Sequence, residues 1–257
     1  MLDDIKTFLW FLIRPKLYTA LWDLILRNFF LENLDSDIHK KEAILWCEQQ
    51  MSSNEKIYKD LDINITVSFK QIVGDHYFED INLKINQSNS NFGGPGDLNL
   101  LYDLCEQKEC LNVVETGVAY GWSTSAILHS LSNRNGRLCS VDMPMPKQEG
   151  YELIGIAVEE RHKKNWHLIR EPDKYGLIKA LKFIGKPIDL IHYDSDKNYY
   201  GRKWAYPIIM EFLKDGGLFV SDDIEDNLFF KEYVTENNFP FWVTKIDGKF
   251  VGIIKKS

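Results

Sequence analysis

The chain predicts an α/β fold in which a mostly parallel, seven-stranded sheet closes on an antiparallel hairpin, behind a helical N-terminal extension. Three observations carry this. From Leu111 onward, short apolar β-like runs alternate with amphipathic helical stretches, the pattern of βαβ units. Near the end, two strand-like runs flank Asp247-Gly248, a two-residue hairpin signal. Residues 1 to about 60 have helical apolar spacing and differ in character from the rest.

The expected strands of the alternating part are Leu111–Glu115, Arg137–Asp142, Trp166–Arg170, Ile188–Asp194 and Gly217–Asp222, followed by the hairpin across Phe241–Ile254. Helices are expected at Ser123–Leu131, near Leu153–Lys164, at Gly176–Ile184 and at Tyr199–Leu213. Upstream, the loop Asn91–Asp97 is dense in glycine, and Asp97 is placed to cap a helix carrying Leu98, Leu100, Leu101 and Leu104. That loop reads either as a plain linker or as a cover for a ligand site. The resulting division is a helical extension (1–60), an irregular connecting segment (61–91) and the sheet domain (92–257).

In the extension, Phe8–Ile13 is apolar but is cut by Arg14-Pro15, far short of the roughly 20 residues of a membrane span. Leu17–Phe30 continues with apolar residues at helical spacing. Three roles fit: docking on the sheet domain or on a second copy as a homo-oligomer, peripheral membrane contact, or a cap over the site.

Composition narrows the function classes. With 257 residues, 44% hydrophobic and 13% aromatic, the chain can bury a large core and is not of the disordered class. A net charge of −7 and the lack of a basic stripe with interleaved aromatics argue against nucleic acid as a partner. Cys47, Cys105, Cys110 and Cys139 form no C-x-x-C pair, so buried free thiols are expected. Met1-Leu-Asp-Asp lacks a basic leader, which points to a cytoplasmic setting.

The most informative stretch is Leu111–Thr124. A strand ends in Glu115, a turn carries Gly117 and Gly121, and Ser123-Thr124 opens a helix. Such a turn brings backbone N–H groups up to a nucleoside-type ligand. A dinucleotide site needs G-x-G-x-x-G, but Ala119 stands where the middle glycine belongs. Glu115 would also repel a pyrophosphate and suits a cationic ligand. Asp142 ends the second strand about 20 residues on, where a ribose partner is expected. A nucleotide-dependent oxidoreductase is disfavoured on the same grounds, and a non-catalytic protein that docks through its N-terminal helices is the other alternative.

A second constellation sits at the ends of strands four and five: Asp194, then Asp196-Lys197, and Asp222-Asp223. Neighbouring strands of such a sheet open onto one crevice. Three converging carboxylates need a compensating cation, and oxygen donors suit magnesium, manganese or calcium. A metal there would lower a hydroxyl's pKa, with Asp196 or Lys197 positioned to take the proton. His192 reads as a core histidine.

Four ordered segments resemble one family. Glu115-Thr-Gly-Val-Ala-Tyr-Gly-Trp-Ser123, Leu138-Cys-Ser-Val-Asp142, Ile188-Asp-Leu-Ile-His-Tyr-Asp-Ser-Asp196 and Leu213-Lys-Asp-Gly-Gly-Leu-Phe-Val-Ser-Asp-Asp-Ile224 are similar to class I S-adenosylmethionine-dependent methyltransferases. Within that class the segments are most similar to small-molecule O-methyltransferases of the macrocin and catechol types. The resemblance covers roughly 92–254. It implies a Rossmann-like methyltransferase fold and transfer of a methyl group to a hydroxyl of a sugar or other small polar acceptor. It further implies S-adenosyl-L-methionine held by Glu115, Gly117, Gly121 and Ser123 at its methionine end. Asp142 would hold the ribose, with the Arg170-Glu171 segment at the adenine. Asp194, Asp222 and Asp223 match the positions that bind a divalent metal, usually magnesium, while Asp196 matches one proposed base and Lys197 another. The pair Asp222-Asp223 departs from the catechol-type Asp-Asn.

Overall fold

A computed structural model describes residues 2–64, 67–88, 91–144 and 150–257. The first part is helical: α1 (Leu2–Leu12), α2 (Tyr18–Phe29), α3 (Asp37–Gln50), α4 (Asn54–Asp60), α5 (Phe69–Val73), α6 (Asp75–Asn86) and α7 (Leu98–Gln107). The alternating part follows as β1 (Asn112–Thr116), α8 (Trp122–Ser132), β2 (Arg137–Val141), β3 (Trp166–Ile169), α9 (Asp173–Ile184), β4 (Ile188–Tyr193), α10 (Tyr199–Phe212) and β5 (Leu213–Ser221). It ends with α11 (Phe229–Asn237), β6 (Phe241–Ile246) and β7 (Lys249–Lys255).

The seven strands form one sheet in the order β3-β2-β1-β4-β5-β7-β6. The pairs from β3 to β5 are parallel, and β7 runs antiparallel between β5 and β6. Chain order reverses between β1 and β4, so the crevice at their carboxyl ends is the ligand position for this topology.

Side-chain alternation explains the layers. Val113, Leu190 and Leu218 face one side and pack with α7 and α8 through Leu100, Leu104, Ile127 and Leu128. Val114, Ile191 and Phe219 face the other side and meet Leu177, Leu181, Tyr206 and Ile209 of α9 and α10. Both faces are covered, which is why the strands read as continuous apolar runs. Fully burying each such side chain stabilises the fold by about 1.5–3 kcal/mol. All four cysteines are buried and unpaired. No helix among the described residues is long and apolar enough to cross a membrane.

Two expectations are corrected. The segment 61–91, expected to be irregular, contains α5 and α6, whose Phe69, Tyr77 and Ile81 pack with Trp122 and Ala126 of α8. Its β-like run at 63–69 lies partly outside the described residues, and Ser68 ends it by capping α5 in a reciprocal bond with Gln71. The helix expected near Leu153–Lys164 is instead two 3-10 turns, Tyr151–Leu153 and Glu160–Asn165. Between them the backbone reverses at Gly155, with φ +73°, and no helix continues through such a residue.

Candidate active site

From β1 the chain turns through 117–121 into α8. At Gly117, φ is +82° and an added Cβ would lie 2.1 Å from the Asp194 carbonyl oxygen, so only glycine lets the end of β4 approach. Ala119 adopts φ +50°, a conformation glycine prefers. Its carbonyl accepts the Gly155 N–H at 2.9 Å, and its own N–H donates to the Asp142 carboxylate. Gly121 precedes α8 in a left-handed conformation, and no side chain caps the helix. The first-turn N–H groups of α8 are therefore left for a ligand.

Glu115 does not face that ligand position. It is fully buried, and its carboxylate accepts hydrogen bonds from Ser123 Oγ at 2.7 Å, Thr124 Oγ1 at 2.6 Å and Ser140 Oγ at 2.7 Å. Ser123 thereby spends its hydroxyl on the protein, although the residue still lines the pocket. On the other side His192 Nδ1 lies 3.4 Å from Glu115 Oε1, and His192 Nε2 lies 3.5 Å from Asp222 Oδ1. Burial works against a charge on this ring, but Asp222 and Glu115 outweigh it and raise its pKa to about 10. The ring thus sits between the acid that ends β1 and the acid that follows β5, and their charges favour its protonated form. The sheet register holds the clue, since Ser140, Glu115, His192 and Val220 are successive partners across four strands.

Asp142 follows β2, its carboxyl 3.3 Å from Arg170 Nη1. Burial pushes its pKa up to about 6, against the pull of Arg170. Glu171 is clamped by Lys179, which donates to both oxygens at 2.6 Å. The N-terminal helices reach this end of the crevice. Phe11, Leu17 and Leu21 pack on Met143, and Lys174 pairs with Asp23 at 2.5 Å.

The pocket itself lies between the glycine turn, the 92–97 loop and the ends of β4, β5 and β7. Its walls include Phe92, Gly96, Ala119, Trp122, His192, Asp194, Asp222 and Lys249. The glycine-dense loop therefore borders the site, and Asp97 caps α7 by accepting from the Leu100 N–H at 2.9 Å.

Among the described residues, Asp194, Asp222 and Asp223 do not bring three ligand atoms within 4.8 Å of one another. Lys197 lies 2.8 Å from Asp194 Oδ1 and also pairs with Asp223, which Lys249 approaches at 3.0 Å. These ammonium groups hold Asp223 below its ordinary range against the effect of burial. Burial and Asp222 push Asp194 up to about 6. Among the described residues, only His129, Glu159 and His162 bring three acidic or imidazole ligand atoms within 4.8 Å of one another. Lys197 and Lys249 are the cations that lie against Asp194 and Asp223 in this structure.

Neither expected base is free. Asp196 accepts a two-point contact from Arg27 of α2, Nη1 to Oδ1 at 3.0 Å and Nη2 to Oδ2 at 2.6 Å, and a further bond from Asn198. Burial opposes the charge on Lys197, but Asp194 and Asp223 raise its pKa above the ordinary lysine range. A lysine so held gives up no proton near neutral pH and serves as a fixed positive charge. Of the carboxylates Asp194, Asp222 and Asp223, only Asp222 has no lysine against it among the described residues.

Sequence reasoning also passed over Arg202. It is fully buried in α10, and its Nη2 donates to the backbone carbonyls of Asp222 at 3.1 Å and Asp223 at 2.6 Å. That grip bears on Asp223 in a left-handed conformation, φ +51°. A lone arginine among the aromatics of 199–206 is the signal it leaves.

Comparison with known proteins agrees with this geometry. A family described as a methyltransferase domain matches residues 114–224. No curated protein matches the chain in sequence. Among solved structures, an O-methyltransferase from Bacillus cereus in complex with S-adenosylhomocysteine superposes with TM-score 0.51 at 17% identity, covering 82% of this chain and 100% of that one. An S-adenosylhomocysteine-bound methyltransferase from Podospora anserina gives 0.55 at 12% identity over 86% and 97% of the two chains. A methyltransferase from Geobacter sulfurreducens gives 0.55 at 15% over 80% and 98%. The glycine turn, the acid-terminated strands and the strand order lie within or around the matched segment, and the chain shares the fold of these methyltransferases.

Proposed function

We propose that the protein is an O-methyltransferase that methylates a hydroxyl of a small polar acceptor such as a sugar. The observation that carries this reading is Asp222, a carboxylate with no lysine against it among the described residues, in a pocket wall it shares with Ala119 of the glycine turn and with Lys249. The pocket wall also includes the carboxyl groups of Asp97, Asp194 and Asp247, acceptors for a hydroxyl-rich molecule.

S-adenosyl-L-methionine would supply an electrophilic methyl group on a sulfonium. The residues fit such a donor: the uncapped start of α8 suits its carboxylate and Asp142 its ribose hydroxyls, while Asp194 lines the same pocket. In the reaction Asp222 accepts the proton of the acceptor hydroxyl. Lys249, in the same pocket wall, stabilises negative charge as it develops on that oxygen. His192 holds Asp222 in place from behind, and Arg202 fixes its backbone. No step is assigned to a divalent metal, because lysines already neutralise Asp194 and Asp223.

Calorimetry with S-adenosylhomocysteine and a labelled-methyl assay over sugars, polyols and phenols test the proposal together. Micromolar binding with methyl transfer to a hydroxyl is expected. Failure to bind, or transfer only to nitrogen or sulfur, would overturn it. The N-terminal helices also leave Ile13, Trp22, Phe29 and Phe30 outward, which supports self-association or contact with a membrane surface. Sedimentation size and retention on anionic vesicles separate these two roles.

A further inference from the structure

We propose that His129, Glu159 and His162 form a binding site for one zinc-type transition-metal ion, separate from the methyl-transfer pocket. His129 lies on α8 about 10 Å along the helix from its start, and none of the three residues lines that pocket. Glu159 and His162 come from the 3-10 turn Glu160–Asn165 and the residue before it.

The spacing fits. Glu159 Oε2 is 2.9 Å from His129 Nε2 and 3.6 Å from His162 Nε2, and one ligand atom from each residue lies within 4.8 Å of the others. Metal–ligand bonds of about 2.0–2.1 Å at tetrahedral angles place neighbouring donors roughly 3.4 Å apart. The two imidazole rings stand 4.3 Å apart between centroids.

Proton placement points the same way. His129 Nδ1 lies 2.9 Å from the Ser125 carbonyl oxygen, which can only accept, so the ring proton of the neutral imidazole sits on Nδ1. Ser125 Oγ, 3.4 Å from the same nitrogen, is the acceptor of the Tyr77 hydroxyl. Nε2 then presents a lone pair toward a carboxylate oxygen and makes no hydrogen bond there. A histidine oriented by a backbone carbonyl with its other nitrogen free is the usual arrangement of a metal ligand. His162 goes further, for neither ring nitrogen has a hydrogen-bond partner although its side chain is only 8% exposed. Leaving such groups unpaired is costly. A bound cation would satisfy three nitrogen and oxygen lone pairs at once.

The competing cation is Arg161, 2.8 Å from Glu159 Oε2, whose side chain is 66% exposed and free to swing into solvent. Two imidazoles and one carboxylate select zinc, cobalt or nickel over magnesium or calcium. The role would be structural. The same chain segment bonds to the glycine turn, Gly155 N–H to Ala119 O and Ala157 N–H to Tyr120 O, both at 2.9 Å. Phe69 and Tyr77 of α5 and α6 pack edge-on against the His129 ring. A metal would therefore pin α5, α6 and the donor-binding turn to α8.

The test uses tag-free, chelator-treated full-length protein titrated with Zn2+ against a chromophoric chelator, and Co2+ as a spectroscopic probe. One equivalent per chain and the intense visible absorption of tetrahedral Co2+ are expected. His162→Gln and Glu159→Gln should each weaken Zn2+ binding at least about tenfold, since even outer partners of a metal site have effects of that size. Circular dichroism of the metal-free proteins establishes that the variants fold, and Glu159→Gln alters a half-exposed side chain that holds no core position. X-ray absorption at the zinc edge of the unmutated protein gives an answer independent of any variant, with two imidazoles and an oxygen donor expected. Absence of stoichiometric binding, retention of full affinity in both folded variants, or a coordination shell without imidazole overturns the proposal.

Discussion

The two halves of the crevice are built on different principles. On the donor side, at the ends of β1 and β2, the work is done by backbone: Gly117 lets β4 approach, Ala119 and Gly121 turn the chain, and Glu115 is consumed inside by three hydroxyls. On the acceptor side, at the ends of β4 and β5, the work is done by side-chain charge: Lys197 and Lys249 neutralise Asp194 and Asp223 and leave Asp222 open. His192 is the joint between them. A backbone-built half tolerates little change in shape, whereas a charge-built half is sensitive to identity at single atoms. Mutations should therefore separate stability from chemistry along the line between β1 and β4.

The largest effect is expected at the acceptor side. Asp222→Asn removes the proposed proton acceptor but keeps the shape, and should lower kcat by about 10²–10⁴-fold. Affinity for S-adenosylhomocysteine should stay within about threefold of the unmutated protein on the same argument, because the loss falls on the transition state alone. A parallel loss of cofactor binding, measured by calorimetry, would erase the distinction between the halves.

Glu115→Gln probes the donor side and should do the reverse. It leaves the buried His192 imidazolium without one of its two carboxylates and strands hydroxyl donors. Breaking a buried charge pair from one side costs about 3–5 kcal/mol, to be read by denaturant unfolding. If stability is unchanged, the carboxylate is not the keystone of that half.

A smaller, pH-dependent effect follows from Asp142. Its carboxyl is raised to about 6 by burial, so in the free protein it takes up a proton as pH falls through 6. Ribose hydroxyls need the ionised form as acceptor. Affinity for S-adenosylhomocysteine should therefore be constant above about pH 7 and weaken by about tenfold by pH 5. For folding the sign is opposite, because a raised carboxyl pKa favours the protonated fold and its contribution fades as pH climbs from about 4 to 6. Asp142→Asn should flatten the binding profile, which isothermal titration at several pH values would reveal.

What the sequence disclosed follows the same division. Strand runs, the glycine turn and the Asp247-Gly248 hairpin were legible because backbone geometry selects residue types locally. The positions of Asp142, Asp194 and Asp222 at strand ends were legible for the same reason. The roles of Asp196, Lys197 and Glu115 were not, because each depends on partners far away in the chain. Arg27 reaches Asp196 from the N-terminal helices, and Lys249 reaches Asp223 from the hairpin. No local pattern encodes such pairings. Helices α5 and α6 were missed because a masking β-like run precedes them and their apolar face is completed only by α8. Ala119 is the instructive exception, a residue whose absence of glycine shaped the reading of the ligand, yet whose backbone takes the glycine conformation all the same.

That exception gives the smallest and sharpest test. An alanine at φ +50° carries a penalty of about 1–2 kcal/mol relative to right-handed geometry, held in place here by the Gly155 N–H and the Asp142 carboxylate. Ala119→Gly relieves the penalty in the folded state but increases the entropy of the unfolded chain, which costs about 0.4–1 kcal/mol. The net expectation is a gain of up to about 1.6 kcal/mol in unfolding free energy, with no change in the hydrogen bonds around the turn. If Ala119 is there to hold the turn rigid for the methyl donor, the same substitution should weaken S-adenosylhomocysteine binding while it stabilises the protein. Opposite signs in the two measurements would show that the donor half trades stability for a preformed site. A loss in both would mean that the alanine methyl packs against Val118 or the pocket wall, and that the left-handed turn is not strained at all.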